Sequence, residues 1–154
     1  MSYPETYRSF RRVKGPIPRS IEQTQETLPK TLGPRDVVIK IHAVSLNYRE
    51  HATLIGTYPR QADETGIPCS DCAAEVIAVG SAVKKYVVGS RVAPITAQGP
   101  YEDTDDGNSV SIGFTKEGVL REYAIYEEKH LVHLPENMPW DQVSDDEVRH
   151  KVMR

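Results

Sequence analysis

Asp36-Val37-Val38-Ile39-Lys40-Ile41-His42-Ala43-Val44 carries the strongest structural signal in the chain. Val37, Ile39 and Ile41 fall on one side and Val38, Lys40 and His42 on the other, the period-2 pattern of a half-buried strand. Working outward, Thr6 to Val13 alternates well enough to form an earlier strand. Pro16, Pro18, Pro29, Gly33 and Pro34 punctuate the stretch between the two, which reads as a long extended connection. On the other side, Tyr48 to Ile55 has few β-branched residues and sets Tyr48, Ala52 and Ile55 at helical spacing until Gly56 and Pro59 stop it. A short helix is expected there.

Further strands are expected at Glu75 to Gly80 and at Arg91 to Ile95, the second introduced by the turn Val88-Gly89-Ser90. Thr96 to Gly118 reads as a solvated loop, with glycines, Pro100 and an acidic patch from Glu102 to Asp106. Val119 to Tyr126 and His130 to Leu134 supply the last strands, separated by the charged turn Glu127-Glu128-Lys129. Short strands with long connections and no strand-helix alternation predict a mainly β fold with short helices, closed or nearly closed into a barrel.

At 154 residues the chain is sized for one domain, since domains usually run about 100–200 residues. A hydrophobic fraction of 38%, a charged fraction of 27% and a mean hydropathy of -0.50 describe a folding chain on the polar side of ordinary. With a formal net charge of -3, nucleic acid is not an expected partner, because phosphate binding needs clustered cations. Arg8, Arg11, Arg12 and Lys14 alternate across a strand and read as its solvated face. No apolar run reaches the roughly 18 residues of a membrane span, and the N-terminus lacks a basic start followed by an apolar stretch. A cytoplasmic, reducing setting is the expectation, and two cysteines are too few for a disulfide framework.

Cys69-Ser70-Asp71-Cys72 has the C-x-x-C spacing of zinc ligands or a redox pair. Zinc would need two more ligands, and His130 and His133 lie three apart in a strand, on opposite faces. A redox pair would sit at a helix N-terminus, whereas this one leads into a strand. Two small buried thiols are the simpler reading.

The order and spacing of five landmarks carry a family resemblance. They are Ser45-Leu46-Asn47-Tyr48-Arg49-Glu50, Gly56-Thr57-Tyr58-Pro59, Glu75 to Gly80, Val88-Gly89-Ser90-Arg91-Val92 and Gly118 to Tyr123. Across roughly residues 8 to 140 the chain resembles the GroES-like half of the medium-chain dehydrogenase/reductase superfamily, in its zinc-independent, quinone-oxidoreductase-like branch. The resemblance implies a GroES-like β-barrel over residues 1–140, and residues 141–154 read as a charged, divergent tail in which Ser144 could cap a helical turn. The Rossmann domain is expected to be absent: neither G-x-G-x-x-G nor G-x-x-G-x-x-G occurs in the chain.

The family implies hydride transfer between NADP(H) or NAD(H) and a small carbonyl, enone or quinone substrate. Zinc is not expected, because Asn47 and Ser70 stand where the zinc-dependent branch places a cysteine and a histidine. Two residues carry over as site candidates. Asn47 would line the cleft near the nicotinamide, in a catalytic and cofactor-binding role, or serve simply as a helix cap. Tyr58 would donate a hydrogen bond or proton to a developing oxyanion, or pack its ring in a Gly-Pro turn. The chain departs from the branch at Ala52, Leu54, Cys72, Ala74 and Ser90, with Arg49 and His51 as substitute polar groups. It is therefore expected to be a truncated form, weakly active or inactive alone. The alternatives are an assembly protein, pairing as a homo-oligomer or with a Rossmann-containing relative or binding a small aromatic ligand, and a metal or redox protein using Cys69 and Cys72.

Overall fold

The computed structural model describes residues 3–98 and 110–143. Seven strands and two short helices follow in order: β1 (Thr6–Arg12), β2 (Ile21–Thr27), β3 (Asp36–Val44), α1 (Tyr48–Leu54), β4 (Cys72–Val79), β5 (Arg91–Pro94), β6 (Tyr123–Glu127), β7 (Leu131–His133) and α2 (Trp140–Val143). Five strands form an antiparallel sheet in the order β6-β3-β4-β5-β7, and β1 and β2 form a separate antiparallel ribbon. The ribbon joins the sheet where Ser9 pairs with Arg121, flanked by backbone bonds from Phe10 to Leu120 and from Glu122 to Arg8. Two register shifts in the β3–β4 ladder, between Val38 and Ile39 and between Ile41 and Ala43, bend and twist the central pair.

The ribbon corrects the expected extended connection between the first two strands. Ile21-Glu22-Gln23-Thr24-Gln25-Glu26-Thr27 pairs with β1 over its whole length although it holds one apolar residue. Cross-strand polar contacts replace a hydrophobic signal: Ser9 Oγ meets Thr24 Oγ1 at 2.7 Å, and Arg11 Nε donates to Glu26 Oε1 at 2.7 Å. The ribbon also covers the second face of β3. Val37 and Ile39 enter the main core with Val76, Val92, Ile112 and Val119, while Val38 packs with Tyr7, Leu28 and Ala78 beneath the ribbon. The first half of β3 is therefore buried on both faces, not one.

Two further expectations are revised. Residues 110–118 are not wholly a solvated loop, because Ile112 and Phe114 are buried. The acidic patch Glu102 to Asp106 lies outside the described residues, as does Ser144 and the rest of the tail. In addition, β6 begins only at Tyr123; residues 118–120 bond to 67–69, and Glu122 bonds to both Arg8 of β1 and Ile41 of β3.

Residues 112–120 run backbone to backbone against 67–69. Gly118, Val119 and Leu120 donate to the carbonyls of Ile67, Cys69 and Pro68 at 2.7, 2.9 and 3.2 Å. A methyl group at Gly118 would collide with those same carbonyl oxygens, so only glycine permits the approach. Arg12, itself buried, locks the arrangement by donating to the carbonyls of Asp63 and Gly113 at 2.8 and 3.0 Å.

Cys69 and Cys72 are free and buried, Cys69 in a left-handed conformation with φ 70° and Cys72 as the first residue of β4. Burial pushes the Cys69 thiol up to about 12, reinforced by the nearby Glu50 carboxylate, and burial also pushes the Cys72 thiol up. Thiolate is the reactive form, so neither group is poised for metal or redox chemistry. Among the described residues no group of three His, Cys, Asp or Glu side chains is arranged to hold a metal ion.

Two outcomes follow from these packing features. A disulfide thiol reagent at pH 8 should label neither cysteine in the native protein and both after unfolding in guanidinium. Glu128 is buried and ties β6 to two distant segments, accepting the backbone N–H groups of Lys84 and Lys85 at 3.0 and 3.2 Å and pairing with Arg35 at 3.0 Å. Those backbone donors hold its carboxyl below the usual range. Its stabilising contribution is therefore full above the unfolded value, about 4.3, and is lost as pH falls through the lower folded value. Glu128→Gln should lower the urea midpoint at pH 7 and reduce the loss of stability on acidification below about pH 4, both read from urea titrations across pH.

Candidate active site around helix α1

Helix α1 is short and is held through polar groups rather than an apolar stripe. Its buried face is Glu50, Ala52 and Thr53, while Tyr48 is 73% exposed and Ile55 37%. Of the three residues at helical spacing, only Ala52 is on the packing side. Glu50 reaches back to accept the Asn47 N–H at 3.0 Å and the Arg49 Nε–H at 3.2 Å, fixing the first turn. Arg49 Nη2 in turn donates to the Ile112 carbonyl at 3.2 Å, which ties the helix to residues 110–118.

Asn47 stands at the N-cap, and its side chain is oriented at both ends. Its carbonyl Oδ1 accepts the Ser45 hydroxyl at 3.0 Å, and its Nδ2 donates to Asp71 Oδ2 at 2.6 Å. The same Asp71 oxygen accepts the Ser70 hydroxyl at 2.9 Å, and the Asp71 carbonyl accepts the Ser45 N–H at 2.9 Å. The result is a compact polar knot of Ser45, Asn47, Ser70 and Asp71. Asp71 was not singled out in the sequence; the signal was a polar Ser-Asp pair inside an otherwise small and apolar run.

This donor set does not fit a zinc ion. It offers hydroxyls, one amide and one carboxylate, with no thiolate or imidazole, and the donors are already hydrogen-bonded to one another.

Tyr58 lies beyond the other end of the seven-residue helix, roughly 10 Å along its axis from Asn47. The turn folds back so that the N–H groups of Thr57 and Tyr58 both reach the Ala52 carbonyl, at 2.9 and 3.2 Å. Gly56 makes this possible with φ 73°, where a side chain would also run into Ile17. The half-buried Tyr58 ring meets Phe114 edge-on, centroids 5.4 Å apart at 66°. Arg60 and Arg49 both lie over the Phe114 ring, at 5.4 and 5.9 Å from its centroid. Asn47 and Tyr58 thus have separate partners and are linked through Arg49 and Phe114. Phe114 also went unnoticed in the sequence, where its glycine-rich setting reads as loop. His51 is exposed.

Beyond the helix, Trp140 fixes the far side of the sheet. Its ring stacks on His42 at 4.3 Å with 12° between planes, and the Arg91 guanidinium lies 3.7 Å from its centroid. Arg91 also donates to the carbonyls of Glu136 and Met138 at 2.8 and 2.5 Å, so residues 136–140 are held down across β5.

Comparison with known proteins agrees with this architecture. Residues 33–136 match the alcohol dehydrogenase GroES-like domain. A zinc-type alcohol dehydrogenase-like protein of Schizosaccharomyces pombe is 30% identical over 119 residues, covering 76% of this chain and 34% of the relative. A quinone oxidoreductase of Pseudomonas aeruginosa is 33% identical over 116 residues, covering 75% and 30%. The structure of acetophenone reductase from Geotrichum candidum in complex with NAD superimposes with a TM-score of 0.75 at 18% identity, over 94% of this chain and 44% of that one. The chain thus spans about a third of the length of the curated relatives it matches. With a family model matching residues 33–136 and two relatives at 30% and 33% identity, the chain belongs to the alcohol dehydrogenase GroES-like family of medium-chain oxidoreductases.

Proposed function

We propose that this chain supplies the substrate-side half of a zinc-independent, nicotinamide-dependent oxidoreductase acting on a small carbonyl, enone or quinone. The observation that carries the reading is the knot at the head of α1: an amide oriented from both ends by Ser45 and Asp71, bordered by Leu46 and Tyr48, each 73% exposed. A locked polar group beside outward-facing apolar side chains suits a surface that another domain covers. When bound, the nicotinamide supplies the hydride. The protein's own part is positioning and electrostatics. Asp71 holds the Asn47 amide in a single orientation, so that no reorganisation is needed when the cleft closes. Tyr58, braced by Phe114, presents its phenol as the donor to the oxygen on which charge develops.

Because the residues that would cradle a pyrophosphate are not found in this chain, the same reading makes it weakly active or inactive alone. It would gain activity with a Rossmann-containing relative, or within a homo-oligomer that shields the exposed apolar residues. The metal or redox alternative is disfavoured by the burial of both thiols and their raised pKa values.

Titration with NADPH and with NADH, followed by nicotinamide fluorescence and Trp140 quenching, should show no saturation for the 154-residue chain alone at micromolar ligand. Saturable binding in that range would overturn the half-site reading. In a reconstituted assembly that turns over, Tyr58→Phe should lower kcat by about a hundredfold, the lower end for a general acid. Unchanged kcat would remove Tyr58 from the chemistry.

A further inference from the structure

Arg49 is expected from the sequence as a substitute polar group of the site, yet its guanidinium is committed to the fold. The side chain is 19% exposed. Its Nε donates to Glu50 Oε1 at 3.2 Å, Nη1 to Ser111 Oγ at 3.4 Å and Nη2 to the Ile112 carbonyl at 3.2 Å. The same group lies over the Phe114 ring, 5.9 Å from its centroid. One planar fork therefore joins the first turn of α1 to residues 111–114. Lysine carries the charge but has neither the plane nor the fork.

The backbone of that segment has other supports. Arg12 donates to the Gly113 carbonyl at 3.0 Å, and the Asp63 N–H donates to the Phe114 carbonyl at 2.9 Å. Gly113, with φ 74°, runs so close to Cys69 that a methyl group there would strike its backbone. These contacts fix where the Phe114 side chain starts, not the plane of its ring. The plane is set by what lies against it: Arg49 and Arg60 over the ring, and Tyr58 edge-on at 5.4 Å and 66°. Arg49 is anchored on both sides of this contact, to α1 through Glu50 and to the 110–118 segment through Ile112, so it cannot shift without breaking one bond or the other.

We propose that Arg49 is a positioning residue for Tyr58: by holding the Phe114 ring it fixes the direction of the phenol, and so couples the first turn of α1 to the turn that follows the helix. Its bearing on catalysis rests on the oxidoreductase reading; the coupling of Arg49 to Tyr58 does not. The Asn47 side chain is held by Ser45 and Asp71 instead and stands outside this path.

The test uses the full chain with isotope-labelled tyrosine rings, Tyr58 being assigned by the signals that Tyr58→Phe removes. A ring packed edge-on against Phe114 has its proton resonances displaced by the phenylalanine ring current. Arg49→Lys should move those Tyr58 resonances towards the values of free tyrosine while the Asn47 side-chain amide resonances stay in place. In a Phe114→Leu background, which keeps an apolar group at the buried position, Arg49→Lys should move Tyr58 no further. In an assembly that turns over, Arg49→Lys should lower kcat about tenfold with KM unchanged, since a misplaced phenol costs less than a missing one, and the double variant with Tyr58→Phe should be no slower than Tyr58→Phe alone. Tyr58 resonances indifferent to Arg49→Lys, a further shift in the Phe114→Leu background, additive losses in kcat, or equal displacement of the Asn47 resonances would each overturn the proposal. If Arg49→Lys does not fold, Ser111→Ala, which removes one of the three bonds and leaves the charge, decides by the same resonances. Coupled resonances with no turnover in any assembly would remove the oxidoreductase reading and keep the coupling; turnover with additive losses would do the reverse.

Discussion

The buried guanidinium of Arg12 is the constraint on which the site depends. It sits at the end of β1, almost wholly out of solvent, and desolvation pushes its pKa downward. A guanidinium nevertheless stays charged in proteins, so the fold must satisfy it. The carbonyls of Asp63 and Gly113 accept from its Nε and Nη1, while its buried Nη2 has no hydrogen-bond partner among the described residues. These oxygens belong to segments far apart in sequence, and the Arg12 N–H adds a third attachment at the Gly66 carbonyl, 3.2 Å away. One charge thus draws the ribbon, the stretch after α1 and the 110–118 segment to one point. Substituting an apolar residue would keep the backbone bond to Gly66 but leave the Asp63 and Gly113 carbonyls without their donor.

From that point the geometry of the helix follows. With residues 112–120 held against 67–69, Phe114 is presented to Tyr58, Arg60 and Arg49 on one side, and the Ile112 carbonyl receives Arg49. On the other side, the turn through Cys69 brings Ser70 and Asp71 under Asn47. The left-handed φ of Cys69 belongs to this arrangement. A residue with a side chain is held in a conformation that ordinarily favours glycine, while Gly113 and Gly118 crowd its backbone so closely that neither could carry a side chain. The strain is local and is offset by the surrounding ladder of hydrogen bonds.

What the sequence made legible were features that repeat within a few residues. Alternation marked β1 and β3, a compact apolar run ending at Gly80 marked most of β4, and the Asn47 start and Gly56 stop marked α1. The features it concealed depend on distant partners. The second strand has almost no apolar residues, because its pairing is carried by Ser9, Arg11 and Glu26 across the ribbon. Ile112 and Phe114 look like loop residues until the glycines beside them are seen to permit backbone contact with 67–69. In the helix, spacing pointed to Tyr48, Ala52 and Ile55, yet only Ala52 of these is buried, and Glu50 and Thr53 join it because each finds a polar partner within the helix or its cap. At the site, Asn47 and Tyr58 could be singled out by resemblance alone. Asp71, Phe114 and Arg60 acquire meaning only once the chain has folded back on itself.

The two ends of α1 divide the labour of the proposed site. At the N-cap the only charged side chain of the knot is Asp71, which accepts from both Asn47 and Ser70, so the knot is suited to hold one amide still. At the C-terminal end Tyr58 lines a cleft with Arg19 and Arg60 and packs edge-on against Phe114. Phe114 and Arg49 connect it to the knot. Groups held in this way reduce the orientational freedom a substrate must lose before reacting. The polar groups around α1 are fixed by neighbours from separate segments, through Asp71 and through the Ile112 carbonyl, so the geometry of the proposed site is set by the fold before any ligand arrives.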